Sequence, residues 1–126
     1  MTPCPALAPE FHPWVGRVAL RLVTALAPQT LYFFGSSARR APELGGDLDF
    51  LAILPVLPKR AYQMEIEVRA VGGLAIKLDV LYRTSDQVRA ERNRPGSFLH
   101  SVWPECHEIY TFNRLNRIGK NGRLKL

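Results

Sequence analysis

Cysteine and histidine are scarce in this sequence, and their spacing argues against two common kinds of small protein. The 126 residues include two cysteines and three histidines. Cys4 and Cys106 are about 100 residues apart, a separation that sets no disulfide framework. None of the histidines (His12, His100, His107) stands at zinc-ligand spacing from a cysteine. We therefore expect each thiol to be buried or idle.

The sequence also lacks a long apolar run. No stretch approaches the ~18 uninterrupted apolar residues that a membrane span needs. The first residues, MTPCPALAPEF, have neither the basic start nor the apolar core of a secretory signal. Hydrophobic residues make up 47% and charged residues 22%, as in an ordinary globular domain. We expect one small cytoplasmic domain that does not enter a membrane.

Acidic residues are absent from the C-terminal segment RLNRIGKNGRLKL, which carries five basic ones. Without those five, the chain has 12 basic and 11 acidic residues, so most of the net charge of +6 belongs to this tail. Residues 113–126 are predicted to be a basic tail that could be disordered. It could touch nucleic acid or an acidic partner, or it could be a solvated terminus or an addition made for expression. Nucleic acid is not otherwise expected as a partner.

Hydrophobic periodicity predicts helices alternating with strands. Residues 1–13 hold four of the ten prolines and are predicted to be irregular, so the domain proper spans 14–112. The prediction is an α/β (α+β) domain with a small mixed β-sheet flanked by helices. Its elements are a helix over 14–26, strands over 31–34 and 47–54, a helix over 59–71, a strand over 74–82, a helix over 95–103 and a strand over 107–112.

Three features of this pattern carry candidate chemistry. Gly35 and Ser36 follow a strand where a helical turn begins, and free backbone N–H groups with a hydroxyl there can cradle a phosphate. Asp47 and Asp49 are two apart on a strand, so both carboxylates project from one face and favour a cation such as Mg²⁺. Asp79 is a charged residue in an otherwise apolar strand and needs a partner if it is buried.

Each feature has an ordinary structural explanation when taken alone. A Gly-Ser pair often only makes a turn, and an Asp-x-Asp at a strand start often only caps a loop. Asp79 could pair with Lys77, which shares its strand face. If the third strand lies beside the second, however, Asp79 meets Asp47 and Asp49. The three features in this order are much harder to explain as coincidence.

The segment GSSARRAPELGGDLDF resembles the signature of the DNA polymerase beta-like nucleotidyltransferases: Gly-Ser, ten residues, then Asp-x-Asp. Asp79 in KLDVLY matches the third acid of that family, and the chain is similar in length to the minimal nucleotidyltransferases. The resemblance covers residues about 30–112. Two positions depart from the family pattern. Arg40 stands where a Gly is frequent, and Gly46 stands where Ser or Thr is frequent, so the substrate fit can differ.

The resemblance implies a polymerase beta palm-like fold and transfer of a nucleotidyl group from an NTP, with pyrophosphate leaving. Gly35, Ser36, Ser37 and Arg39 would bind the nucleotide phosphates; Arg39 could equally pair with a nearby acid. Asp47, Asp49 and Asp79 would be both metal ligands and catalytic residues around two Mg²⁺ ions, with ATP as the expected donor.

Many minimal nucleotidyltransferases resemble the antitoxins of toxin–antitoxin modules, whose toxins are helical HEPN-type ribonucleases. The resemblance therefore implies an antitoxin that transfers AMP to a hydroxyl group of such a partner. Two alternatives stay open at this stage. One is a non-catalytic antitoxin that neutralises a partner by binding, and the other is a nucleotidyltransferase acting on a small molecule. The connection rich in arginine after the third strand is either a solvated face or a surface that grips the acceptor.

Overall fold

The computed structural model describes residues 13–34, 47–73, 76–112 and 123–124, with only the backbone of Pro13, Trp14, Asp47, Arg123 and Leu124. The described elements are a mixture of helices and strands, as the periodicity predicts. In chain order they are α1 (Pro13–Leu26), β1 (Thr30–Phe34), β2 (Asp47–Ile53), α2 (Arg60–Val71), β3 (Lys77–Arg83), α3 (Ser85–Arg92), α4 (Phe98–Val102), a 3₁₀ turn (Trp103–Glu105), β4 (His107–Thr111) and β5 (Arg123–Leu124).

The strands form one mixed sheet in the order β3-β2-β1-β4-β5. β1 pairs antiparallel with both β2 and β4, whereas β2 and β3 are parallel. A parallel pair needs a crossover connection, and α2 supplies it between β2 and β3. The predicted mixed sheet with flanking helices is therefore confirmed.

Apolar cores lie on both faces of the sheet. On the first face, α1 and α2 cover alternate residues of the central strands, including Phe33, Leu48 and Phe50. On the second face, Val88 of α3 and Leu99 of α4 cover the intervening residues, including Leu51. β2 is thus buried on both faces towards its end, which its apolar sequence from Phe50 to Leu54 predicts. The acids of β2 and β3 fall on the second face, because side chains alternate along a strand.

α1 confirms the predicted amphipathic helix. Val15, Val18, Ala19 and Leu22 are fully buried on the first face of the sheet, and Arg17 and Arg21 are exposed. Its apolar stripe, with residues three and four apart, is the reason that this segment folds as a helix against the sheet.

α2 ends at a glycine whose backbone the helix requires. Gly72 adopts φ +56°, the left-handed conformation, and its N–H donates to the Val68 carbonyl. The guanidinium of Arg21 reaches across from α1 and donates to the Ala70 carbonyl at 3.0 Å. This contact ties the end of α2 to α1.

Two helices after β3 differ from the sequence prediction. The segment from Ser85 to Arg92 was expected to be a connection, yet it forms α3 with a capping box between Thr84 and Gln87. The last helix was expected to start at Pro95. It starts at Phe98 instead, because Gly96 has φ +91° and Ser97 caps the helix by accepting from the His100 N–H.

β4 carries a bulge where it pairs with β1. The register shifts between Leu31, which faces Tyr110, and Tyr32, which faces Glu108. Ile109 is the extra residue, so Ile109 and Tyr110 both join the core on the first face although they are consecutive.

The terminal segments lie mostly outside the described residues. The predicted irregular start, residues 1–12, is not described, and Pro13 already belongs to α1. Of the basic tail, Arg123 and Leu124 form β5 and pair with Thr111 and Tyr110. Within the described part of the chain, no helix is long and apolar enough to cross a bilayer.

Candidate active site

The expected phosphate-binding segment follows directly on β1. Gly35, Ser36, Ser37, Arg39, Arg40 and Gly46 all lie outside the described residues, so their predicted roles stay predictions. β1 ends at Phe34 and β2 begins at Asp47. The segment that joins them therefore begins and ends at the same end of these two strands, since β1 and β2 are antiparallel neighbours.

Asp47 and Asp49 occupy the first and third positions of β2. These two positions share one face of the sheet, because a strand repeats every two residues. Asp49 is half-buried and lies opposite Phe34 of β1. The start of β2 thus has acids at its first and third positions, next to the end of β1.

Asp79 lies directly opposite Asp49 in the parallel pairing of β2 with β3. The third strand thus lies beside the second, which is the condition for Asp79 to meet the other two acids. Neighbouring strands are about 4.8 Å apart, and residues in register on parallel strands point to the same face. Asp49 and Asp79 consequently project side by side, and the Asp47 position is two residues along the same face.

Asp79 is not buried, because its side chain is exposed, so burial does not require a partner for it. β3 is an edge strand of the sheet, so one flank of Asp79 has no neighbouring strand. Its alternative pairing with Lys77 does not occur either. Ion pairs within the described part of the chain join Arg69 to Glu65, Arg83 to Glu91 and Arg89 to Asp86.

Carboxylates at the start of β2 and on β3 are ligands that suit a hard divalent cation. Carboxylate oxygens are the protein ligands that Mg²⁺ prefers, and it keeps several waters as well. Among the described side chains, which do not include that of Asp47, no three Asp, Glu, His or Cys residues are grouped closely enough to hold a metal ion. Asp49 and Asp79 thus supply two of the three carboxylates that the sequence predicts.

Lys77 is a candidate site residue that the sequence analysis considered only as a partner for Asp79. It lies opposite Asp47 in the β2–β3 register and is exposed on the face of the acids. A cation beside the acids could contact the phosphates of a bound nucleotide. The register that places it there depends on strand pairing, which the sequence pattern alone does not show.

The arginines at the end of β3 and along α3 are held in different ways. Arg83 pairs with Glu91 at 3.2 Å in a half-buried position, and Arg89 pairs with Asp86 at 3.1 Å on the surface. Arg92 lies over the Trp103 ring, 5.0 Å from its centroid. Trp103 also packs against Tyr32, with the ring centroids 5.1 Å apart. The described contacts of Arg89 and Arg92 are thus with Asp86 and Trp103.

Cys106 is half-buried beside the sheet, in the apolar cluster that includes Leu51 and Leu99. Burial, with a smaller contribution from Glu105, raises the pKa of the thiol to about 11. A thiol with that pKa stays protonated near neutral pH and is a poor nucleophile. This agrees with the expectation of a buried or idle thiol, and Cys4 lies outside the described residues.

Comparison of the chain with protein-family models, with curated proteins and with solved structures finds no match in any of the three.

Proposed function

We propose that this protein is a Mg²⁺-dependent nucleotidyltransferase that transfers AMP from ATP to a hydroxyl group of a partner protein. The observation that carries the proposal is the register of β2 with β3, which sets Asp79 opposite Asp49, two residues along β2 from the Asp47 position. The resemblance of the Gly-Ser and Asp-x-Asp spacing to the nucleotidyltransferase signature adds the donor and the reaction. The proposed acceptor is a helical HEPN-type toxin, for which this chain would be the antitoxin.

The proposed roles follow from the positions of the acids. Asp47 and Asp49 would hold Mg²⁺ with the triphosphate, and Asp79 would complete a second metal site on the acceptor side. The bound ions would stabilise the attacking and leaving oxygens of an in-line displacement at the α-phosphorus. The acceptor oxygen forms a bond to that phosphorus, the bond to the pyrophosphate oxygen breaks, and Asp79 accepts the hydroxyl proton. Ser36 and its neighbours would hold the terminal phosphates.

The test is transfer of label from ATP labelled at the α-phosphate. The purified chain is incubated with this ATP, Mg²⁺ and a candidate HEPN-type partner protein. We expect label on the partner, and we expect the Asp47→Asn/Asp49→Asn variant and the Asp79→Asn variant each to lose it by about 100-fold or more. Asp86→Asn is the matched control, because Asp86 is an exposed acid on α3 whose partner is Arg89.

Two results would contradict the proposal. Transfer that survives loss of all three acids would place the chemistry elsewhere. No transfer, with full neutralisation of the partner by Asp47→Asn/Asp49→Asn, would show a module that acts by binding alone.

A further inference from the structure

A cavity lies on the same sheet face as the acids, at the end of the strands opposite to them. Its volume is about 450 Å³, which is within the usual range for small-molecule sites. The sheet contributes the start of β1, the end of β2 and the end of β4, and α3 and Trp103 close the other side. Within β2, Ile53 lines this cavity and Asp49 lies four residues earlier, a separation of about 13 Å along the strand. The buried side chain of Leu51 lies between them.

Two guanidinium groups give this cavity its charge. Arg89 and Arg92 are three residues apart on α3, so they lie on the same side of the helix, and both line the cavity. No Asp or Glu is among the lining residues. The partner of Arg89 is Asp86, whose side chain is 90% exposed, and an exposed ion pair of this kind is weak. The cavity therefore favours a negatively charged ligand.

Arg92 is held in place by an aromatic ring and not by a carboxylate. Its guanidinium lies 5.0 Å from the centroid of Trp103, and the Arg92 carbonyl is within 2.9 Å of His100 Nδ1. Among the described residues, Arg92 forms no ion pair. A guanidinium oriented in this way keeps its N–H donors and its charge for a ligand, and its planar face can stack on an aromatic ring.

The remaining walls combine hydroxyl groups with apolar side chains. Thr30 and Thr111 face each other across β1 and β4, with their hydroxyl oxygens 3.4 Å apart. Val88, Ile53 and Phe112 supply apolar surface to the same cavity. A ligand that fits these walls has a flat apolar part, hydroxyl groups and an anionic group.

We propose that this cavity binds a mononucleotide. Its phosphate would contact Arg89 and Arg92, its sugar hydroxyls would meet Thr30 and Thr111, and its base would pack on the apolar wall. This cavity is separate from the end of the strands that carries Asp47, Asp49 and Asp79. Mononucleotide binding there needs neither Mg²⁺ nor those acids.

Tryptophan fluorescence tests this binding directly. The chain has two tryptophans, so Trp14→Phe leaves Trp103 as the only one. AMP is titrated in the presence of EDTA, with adenosine and inorganic phosphate as separate arms. We expect AMP to change the Trp103 emission, and adenosine and phosphate each to bind at least about tenfold more weakly. Calorimetry on the chain with both tryptophans gives the same comparison if Trp14→Phe does not fold.

The arginine variants identify the site. Arg89→Gln and Arg92→Gln should each raise the Kd for AMP about tenfold or more, because each removes a charge-assisted contact. Arg94→Gln is the matched control, because Arg94 is an exposed arginine just beyond α3 that does not line the cavity. AMP binding should persist in Asp47→Asn/Asp49→Asn, so the result does not depend on the proposed catalysis.

Any of three results would overturn the proposal: no change at about 10 mM AMP, adenosine binding as tightly as AMP, or equal losses in Arg92→Gln and Arg94→Gln. Loss of AMP binding in Asp47→Asn/Asp49→Asn would also overturn it, because the nucleotide would then lie at the acids.

Discussion

Gly72→Ala should destabilise the protein through two separable effects. The glycine has φ +56°, a conformation that costs an L-residue about 1 kcal/mol. A Cβ built at this position would lie 2.3 Å from Arg21 Nη1, so the guanidinium must move away. Arginine is long and flexible and can do so, but it then loses its hydrogen bond to the Ala70 carbonyl at 3.0 Å. That loss adds about 1 kcal/mol, less than the roughly 1.5–3 kcal/mol of a buried charged donor, because the contact is partly exposed.

The expected total is about 2 kcal/mol, or a fall in Tm of about 8 °C for a domain of this size. Urea denaturation followed by circular dichroism measures it, and a double-mutant cycle with Arg21→Met separates the two effects. In the Arg21→Met chain, Gly72→Ala should cost only the backbone term of about 1 kcal/mol.

Gly73→Ala serves as the control, since Gly73 has φ +85° and its added Cβ would meet nothing within 4 Å. Its cost should be the same with and without Arg21. Equal costs for Gly72→Ala in the two backgrounds would refute the reasoning, because the guanidinium would then play no part.

Two further predictions concern groups with raised pKa values. Burial and the hydrogen bond to Glu67 at 2.8 Å raise the pKa of Tyr82 above its usual value of 10.0, so the folded state holds this proton more tightly than the unfolded chain. The stability that results from this raised pKa is complete below pH 10 and is lost as pH rises further. Tyr82→Phe should therefore flatten the fall in unfolding free energy measured between about pH 9 and 11. An unchanged slope would contradict this. Burial raises the pKa of Cys106 to about 11, so in Cys4→Ser its thiol should react slowly with iodoacetamide at about pH 8 and quickly in denaturant. Equal rates in the two conditions would contradict the burial.

Much of the fold was predictable because its strongest patterns are local. The three- and four-residue apolar repeat of α1 and the apolar run of β2 each specify one element without reference to the rest of the chain. Gly72 likewise predicts the end of α2, since few other residues adopt its conformation cheaply.

The sequence pattern does not predict α3, because Val88 is the only buried residue of this helix. A helix with so small an apolar face has almost no periodic signal. The capping box from Thr84 to Gln87 is the signal in the sequence that marks the start of this helix. At the other helix, Pro95 suggested a start that the left-handed Gly96 rules out.

The candidate site was predictable in its residues but only partly in its arrangement. The spacing of Asp47 and Asp49 fixes their common face, whereas the position of Asp79 depends on which strands are neighbours. The exposure of Asp79 also follows from β3 being at the edge of the sheet, and strand order is a property of the whole fold. The same register brings Lys77 opposite Asp47.

The central position of β1 has a consequence during synthesis. Its sequence, TLYFF, is strongly apolar and contains no lysine or proline that would discourage pairing with another chain. β2 follows it closely, but Thr111 of β4 is 81 residues beyond Thr30. Until β4 has left the ribosome, one side of β1 is an open template for aggregation. Pairing with β4 covers this side of β1. A chain cut before His107 would lack β4 and would leave this side of β1 open.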